Sequence, residues 1–192
     1  MSEDPFSAEE AAVAQFISGG SAPAAKFPAI GSFVEGTVTG LRLQQQTDAD
    51  TKEPLFWENN RPTPQSMLKF PQTARKCDQL LVDLQGEPTG ITYQWDAVNE
   101  RHVEVALDDD DGVRTLYVKG RLQIALAQTL KEAGVKVPKI GSYLKVVRAS
   151  NVKSKIQGRA YTYDVSYIPP EKNEKAAEAA LAGPPEDPFA QG

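Results

Sequence analysis

The sequence predicts an all-β domain with one helix, a small Greek-key barrel carried between two acidic arms. Three observations predict it. Runs rich in β-branched residues recur between residues 33 and 168, one stretch alone has the apolar spacing of a packed helix, and two glycines interrupt the first run as they do in a sharply curved strand.

The elements follow in order. Residues 1–28 predict a flexible acidic arm with a short helix, because Ser7-Ala8-Glu9-Glu10 has capping-box spacing and Gly19-Gly20 ends the Ala-rich run. Ser18 to Pro28, rich in Gly, Ser, Ala and Pro, is expected to be a linker. Residues 29–170 form the domain. Its first strand is 33–43, with Gly36 and Gly40 as points of curvature, and its second runs from Gln79 to Gln85. The segment 47–78 is too long for a plain loop and predicts a hairpin of its own or a functional insertion. Val103–Leu107 and Val113–Lys119 flank Asp108-Asp109-Asp110-Asp111-Gly112, which predicts a hairpin with an Asp-Gly turn. Arg121–Ala133 predicts the helix, packed through Leu122, Ile124, Ala125, Leu126 and Leu130 and capped by Gly134. Tyr143–Ala149 and Ala160–Ile168 are the last strands, and Pro169-Pro170 stops the domain. Residues 171–192 predict an acidic tail, with a short helix over Glu171–Leu181 and a disordered tip. With the 103–119 hairpin counted as one strand element, the order strand-strand-strand-helix-strand-strand is that of an oligonucleotide/oligosaccharide-binding (OB) fold, whose helix lies between the third and fourth strands.

Several function classes are set aside by composition. One Cys, Cys77, forbids an internal disulfide, and one His leaves too few ligands for a His/Cys zinc site. No apolar run reaches membrane-spanning length and the first residues are acidic, so a soluble, cytoplasmic protein is expected. His102 lies in a charged stretch without the company of a general base, and neither a Walker-type loop nor an activated nucleophile is present, so no enzyme, cofactor or metal is expected. Asp48-Ala49-Asp50 and Asp108–Asp111 lack calcium-loop spacing and are expected to be solvated turns.

The positive signal is electrostatic. The formal net charge is −5, yet residues 112–170 hold eleven bases against two acids, while 26–111 hold eight against fifteen. A basic half beside acidic arms suits a polyanion. Strand alternation turns Leu116, Val118, Leu144 and Val146 inward and Tyr117, Lys119, Tyr143 and Lys145 outward. Arg121, Arg148 and the loop bases Lys153, Lys155 and Arg159 extend this surface, and Trp57 in the long insertion is a candidate stacking platform. Rings for bases and cations for phosphates are what single-stranded nucleic acid requires. Tyr161, Tyr163 and Tyr167 share parity with Val165 and belong either to this face or to the core. In the arms, Glu3-Asp4-Pro5-Phe6 recurs as Glu186-Asp187-Pro188-Phe189, a ring beside carboxylates suited to a partner's basic, apolar pocket.

Gly36-Thr37-Val38-Thr39-Gly40, the Trp57 loop and the run Asp111–Gly120 together resemble the single-stranded DNA-binding proteins of tailed phages that infect actinobacteria. The resemblance covers residues 30–170 and the tail tip. It implies a non-enzymatic OB-fold protein that protects single-stranded DNA in replication, recombination or repair, located in the host cytoplasm if phage-encoded, with acidic tails that recruit replication or recombination proteins. Homo-oligomerisation is left open. The acidic tail ending in Pro and Phe also resembles that of bacterial single-stranded DNA-binding proteins, in which this tip is the extreme C-terminus; here Ala190-Gln191-Gly192 follow Phe189, and the motif has an N-terminal copy. The rival expectation is an OB-fold adaptor that binds proteins, with its tyrosines buried and its bases neutralised by the chain's own acids.

Overall fold

The computed structural model describes residues 22–154 and 158–173. Its centre is one antiparallel sheet of five strands: β1 (Phe33–Gln45), β5 (Asp78–Gln85), β8 (Val113–Val118), β9 (Tyr143–Ser154) and β10 (Gly158–Ile168), in the order β10-β9-β1-β5-β8. Between β1 and β5 an arm carries β2 (Leu55–Glu58), β3 (Arg61–Pro64) and β4 (Arg75–Lys76) as a separate three-stranded sheet. Between β5 and β8 a two-stranded ribbon pairs β6 (Ile91–Asp96) with β7 (Arg101–Ala106). The helix α1 (Gly120–Glu132) separates β8 from β9. No helix among the described residues is long and apolar enough to cross a membrane.

Alternation builds the core. Val38, Val82, Leu84, Leu116, Val118, Leu144 and Val146 point to one face of the sheet, where Leu122, Leu126 and Leu130 of α1 cover them. The three leucines stand four residues apart, on one stripe of the helix, and each contributes about 2 kcal/mol through burial. Ile124, expected in that stripe, lies off it and is 69% exposed. The helix ends as expected at Gly134 (φ +73°): Val135 N–H donates to the Leu130 carbonyl and Gly134 N–H to that of Lys131.

Three backbones cross without side chains between them at Gly36, Gly86 and Gly112. A Cβ on Gly86 would lie 2.5 Å from the Glu35 carbonyl oxygen, and one on Gly36 or Gly112 would strike the backbone of Gln85 or Gly86. Gly112 also has φ +78°, a conformation costly for any residue with a side chain. This crossing steers the chain into β8 beside β5. The hairpin expected between 103–107 and 113–119 is therefore corrected: β7 pairs with β6, β8 pairs with β5, and the acidic run is the crossover between them.

That run is no simple solvated turn. Asp110 is nearly buried and accepts a two-pronged bond from Arg114, 2.7 Å to each oxygen, plus backbone N–H bonds from Thr89, Gly90 and Gly112. The Arg114 guanidinium first, then these amides, hold its carboxyl far below the usual carboxylate range. Asp110 thus pins the root of the ribbon to β8. Asp48 does form the expected turn, accepting from the N–H groups of Asp50 and Thr51.

The linker expected over 18–28 is also corrected for its described part, residues 22–28. Thr115 N–H donates to the Pro23 carbonyl and Ala25 N–H to that of Thr115, so this segment occupies the outer edge of β8. Phe27 packs edge-on against Tyr163 of β10. The strap spans the two edge strands, which do not pair with each other. Past β10, residues 170–173 are helical, in line with the start of the expected tail helix.

Two outcomes test this account. Gly112→Ala should lower unfolding free energy by about 2–4 kcal/mol in urea melts, because strain and backbone collision act together; an unchanged midpoint would contradict the crossing. Asp110 has a depressed folded pKa, so its contribution is fully present above the unfolded value of about 4 and is lost progressively as pH falls below it. Asp110→Asn should therefore destabilise the chain at about pH 7 and narrow the gap to wild type at about pH 3.

Candidate nucleic-acid interface

The residues expected to bind single strands fall at separate places on the fold. Tyr143 and Lys145 lie on the outer face of β9, opposite Thr37 and Glu35 of β1. Glu35 Oε2 accepts from the Tyr143 hydroxyl at 2.7 Å and pairs with Lys145 Nζ at 2.7 Å. Lys145 Nζ also sits 4.4 Å from the centre of the exposed Phe33 ring. The bond from Lys145, then that from Tyr143, holds the Glu35 carboxyl below its ordinary value. Burial, reinforced by the Glu35 acceptor, pushes the Tyr143 phenol up to about 12. This cluster borders an 830 Å³ cleft that also reaches Lys26, Thr89 and Tyr93. Lys145 is thus already ion-paired within the chain.

Arg148 requires a correction. Alternation that turns Leu144 and Val146 inward does the same to Arg148, which is 7% exposed. Its guanidinium stacks 3.7 Å from the Tyr161 ring centre and donates to the Phe27 carbonyl and to Asn151 Oδ1, both at 2.8 Å. It clamps the strap to β9. The same parity settles two tyrosines: Tyr163 and Tyr167 pack against the core, and burial raises the Tyr163 phenol.

Tyr117, Lys119 and Arg121 stand where β8 passes into α1. Tyr117 is half-buried opposite Leu81, while Lys119 and Arg121 are exposed. Beside them the outer face of β5 and β8 is closed: Leu81, Asp83 and Thr115 are buried, Thr115 Oγ1 donates to Asp83 at 2.6 Å, and Arg42 pairs with the same carboxylate.

The arm leaves and re-enters the sheet at that same end, where Gln45 faces Asp78. Trp57 lies on its middle strand, 39% exposed, in register with Pro62 and Arg75. Of the two expectations for 47–78, the hairpin is seen: β2 pairs with β3, and β4 adds a third strand. Trp95 lies on β6 with its ring edge-on to His102. Burial first, and then the charges of Lys26 and Arg148, lower the His102 pKa.

At the other end of the sheet, register places Lys153 directly opposite Arg159 near the β9–β10 tip. Lys155 lies outside the described residues. So do both copies of the acidic motif, Glu3, Asp4, Pro5 and Phe6 and Glu186, Asp187, Pro188 and Phe189. No group of three or more His, Cys, Asp or Glu side chains suited to a metal occurs among the described residues.

Sequence reasoning missed four exposed bases of the arm, Arg61, Lys69, Arg75 and Lys76, and the exposed Phe70. The adjacency Lys69-Phe70, close to Arg75-Lys76, was the available signal.

The clamp role of Arg148 can be tested apart from the proposed contact with nucleic acid. Arg148→Met should cost about 2–4 kcal/mol of stability, since it strands the Phe27 carbonyl, and leave oligo-dT affinity unchanged where the protein is folded. Normal stability with weakened DNA binding would return Arg148 to the interface.

Comparisons with protein-family models, with curated proteins and with solved structures each find no match to this chain.

Proposed function

We propose that this chain is an OB-fold protein that binds single-stranded DNA with little sequence preference, protecting it during replication, recombination or repair. The observation that carries this reading is topological. Numbering the sheet strands by sequence gives the order 5-4-1-2-3, with the helix between the third and fourth. That order supports the reading as an OB fold, in which the second and third strands and the loops after the first and fourth strands bind oligonucleotides. In this chain the Trp57 arm follows the first sheet strand, and the fourth and fifth sheet strands carry Lys153 and Arg159 opposite each other at their far ends.

Chemistry at these places supports the reading. Lys119, Arg121, Lys153, Lys155 and Arg159 supply candidate phosphate contacts, and Trp57 and Tyr117 supply ring faces whose stacking ignores base identity. Tyr143 and Lys145 join this surface only where a phosphate displaces Lys145 from Glu35. The acidic motifs near both ends serve, on this proposal, to recruit basic protein partners. No catalytic role enters the reading.

A protein-binding adaptor remains the second reading, and one observation favours it: Glu35 engages Lys145 while Arg148 and two tyrosines are turned inward. Titration of the intrinsic tryptophan fluorescence with oligo-dT separates the two. Four to six phosphate contacts predict a slope of log affinity against log salt of about −3 to −4, at roughly −0.7 per contact. Trp57→Ala should weaken binding by about 1–3 kcal/mol without changing the melting temperature. A salt-independent or absent response to oligo-dT would favour the adaptor.

A further inference from the structure

The arm between β1 and β5 has two faces, and the sequence directed attention to one of them. Alternation along β2 sends Trp57 to one face and Phe56 and Glu58 to the other. Register then places Lys76 beside Phe56 and Arg61 beside Glu58, on neighbouring rungs of that second face. Glu58 forms no ion pair with Arg61. Its Oε1 instead accepts the backbone N–H groups of Lys69 and Phe70, at 2.9 and 2.8 Å. Those bonds tether the 69–70 segment to the Glu58 side of the arm and leave the Phe70 ring 59% exposed.

Nearby carboxylates are occupied in the same manner. Glu53 accepts the Ser66 N–H and Asp48 closes its own turn, so both are bound to backbone amides and not to cations. Among the described residues no ion pair involves Arg61, Lys69 or Lys76, and all three are exposed. The second face therefore presents one open ring among three uncommitted cations. The ribbon at the other end of the sheet has the opposite character. Residues 86–111 hold eight acids and one base, so its exposed Trp95 sits in a field that repels phosphate.

We propose that single-stranded nucleic acid contacts the arm on both faces. Beyond Trp57, a second subsite stacks a base on Phe70 and holds phosphates with Arg61, Lys69 and Lys76. The inference rests on the single-strand-binding reading and assigns residues which that reading did not contain. A strand crossing both faces must bend around the arm, so the arm sets the path of the strand across the protein.

The test uses the full chain and a fluorescein-labelled oligo-dT, read by anisotropy across a salt series, with a thermal melt of each variant. Phe70→Ala should weaken binding about 5- to 100-fold with the salt slope unchanged, and Phe70→Tyr should restore affinity. Replacing Arg61, Lys69 and Lys76 together by Ala should make the slope shallower by about 2, at roughly 0.7 per lost contact. The melts should stay at the wild-type temperature, because all four side chains are exposed. Wild-type affinity and slope in both variants would overturn the second subsite while leaving the general reading intact. Failure of the wild-type chain to bind oligo-dT would overturn the general reading and the subsite with it.

Discussion

The close approach of three backbones at Gly36, Gly86 and Gly112 is the constraint on which the rest of the structure depends. Sheet strands normally keep side chains between neighbouring layers, and here the layers meet with none. The contact lets β5 end against β1 and lets the chain return into β8 on the far side of β5. The ribbon between them is consequently displaced from the sheet. Arg114 and Asp110 hold its root in place, with backbone amides completing the carboxylate's shell. The strap from Pro23 to Phe27 then covers the edge that β8 would otherwise expose, and the buried Arg148 fixes its far end.

Charge is sorted along the β1, β5 and β8 part of this frame, while β9 and β10 carry Lys153 and Arg159 past the start of β1, toward the ribbon's end of the sheet. The acidic ribbon and crossover leave from the end of the sheet where β5 stops, whereas the arm and the start of α1 lie at the end where β5 begins. Carboxylates near the basic positions are committed: Asp83 to Arg42 and Thr115, Glu35 to Lys145 and Tyr143, Glu58 to two backbone amides. The committed pairs differ in consequence. At Glu35 the partner is a cation and its charge is consumed, while at Glu58 the partners are amides and the neighbouring cations stay available. That difference moves the weight of the candidate interface from β9 toward the arm.

Local signals in the sequence were reliable where the physics is local. Leu122, Leu126 and Leu130 at helical spacing, the cap at Gly134, and the inward alternation of Leu116, Val118, Leu144 and Val146 in β8 and β9 all appear as anticipated. Pairing partners were not legible, since they depend on contacts distant in the chain. Val103–Val105 alternate equally well against β6 or β8, and only the Gly86–Gly112 crossing decides between them. Glu35 and Lys145 meet across 110 positions of sequence, which no spacing rule anticipates. The arm strands are two to four residues long and contain prolines, too short for periodicity to register. Arg148 is the instructive exception: the parity that buries Leu144 and Val146 buries it as well, although a guanidinium is a residue type expected at the surface.

The central claim is that a single strand follows the arm and the Tyr117–Arg121 junction of β8 with α1 and avoids the acidic ribbon. Photo-crosslinking of the full chain to a thiothymidine-containing oligo-dT, followed by peptide mass spectrometry, tests it most directly. Adducts at Trp57, Phe70 and Tyr117, with none at Trp95 or the core residues Tyr163 and Tyr167, are the predicted result. Adducts confined to residues 91–106, or none under saturating oligonucleotide, would contradict it.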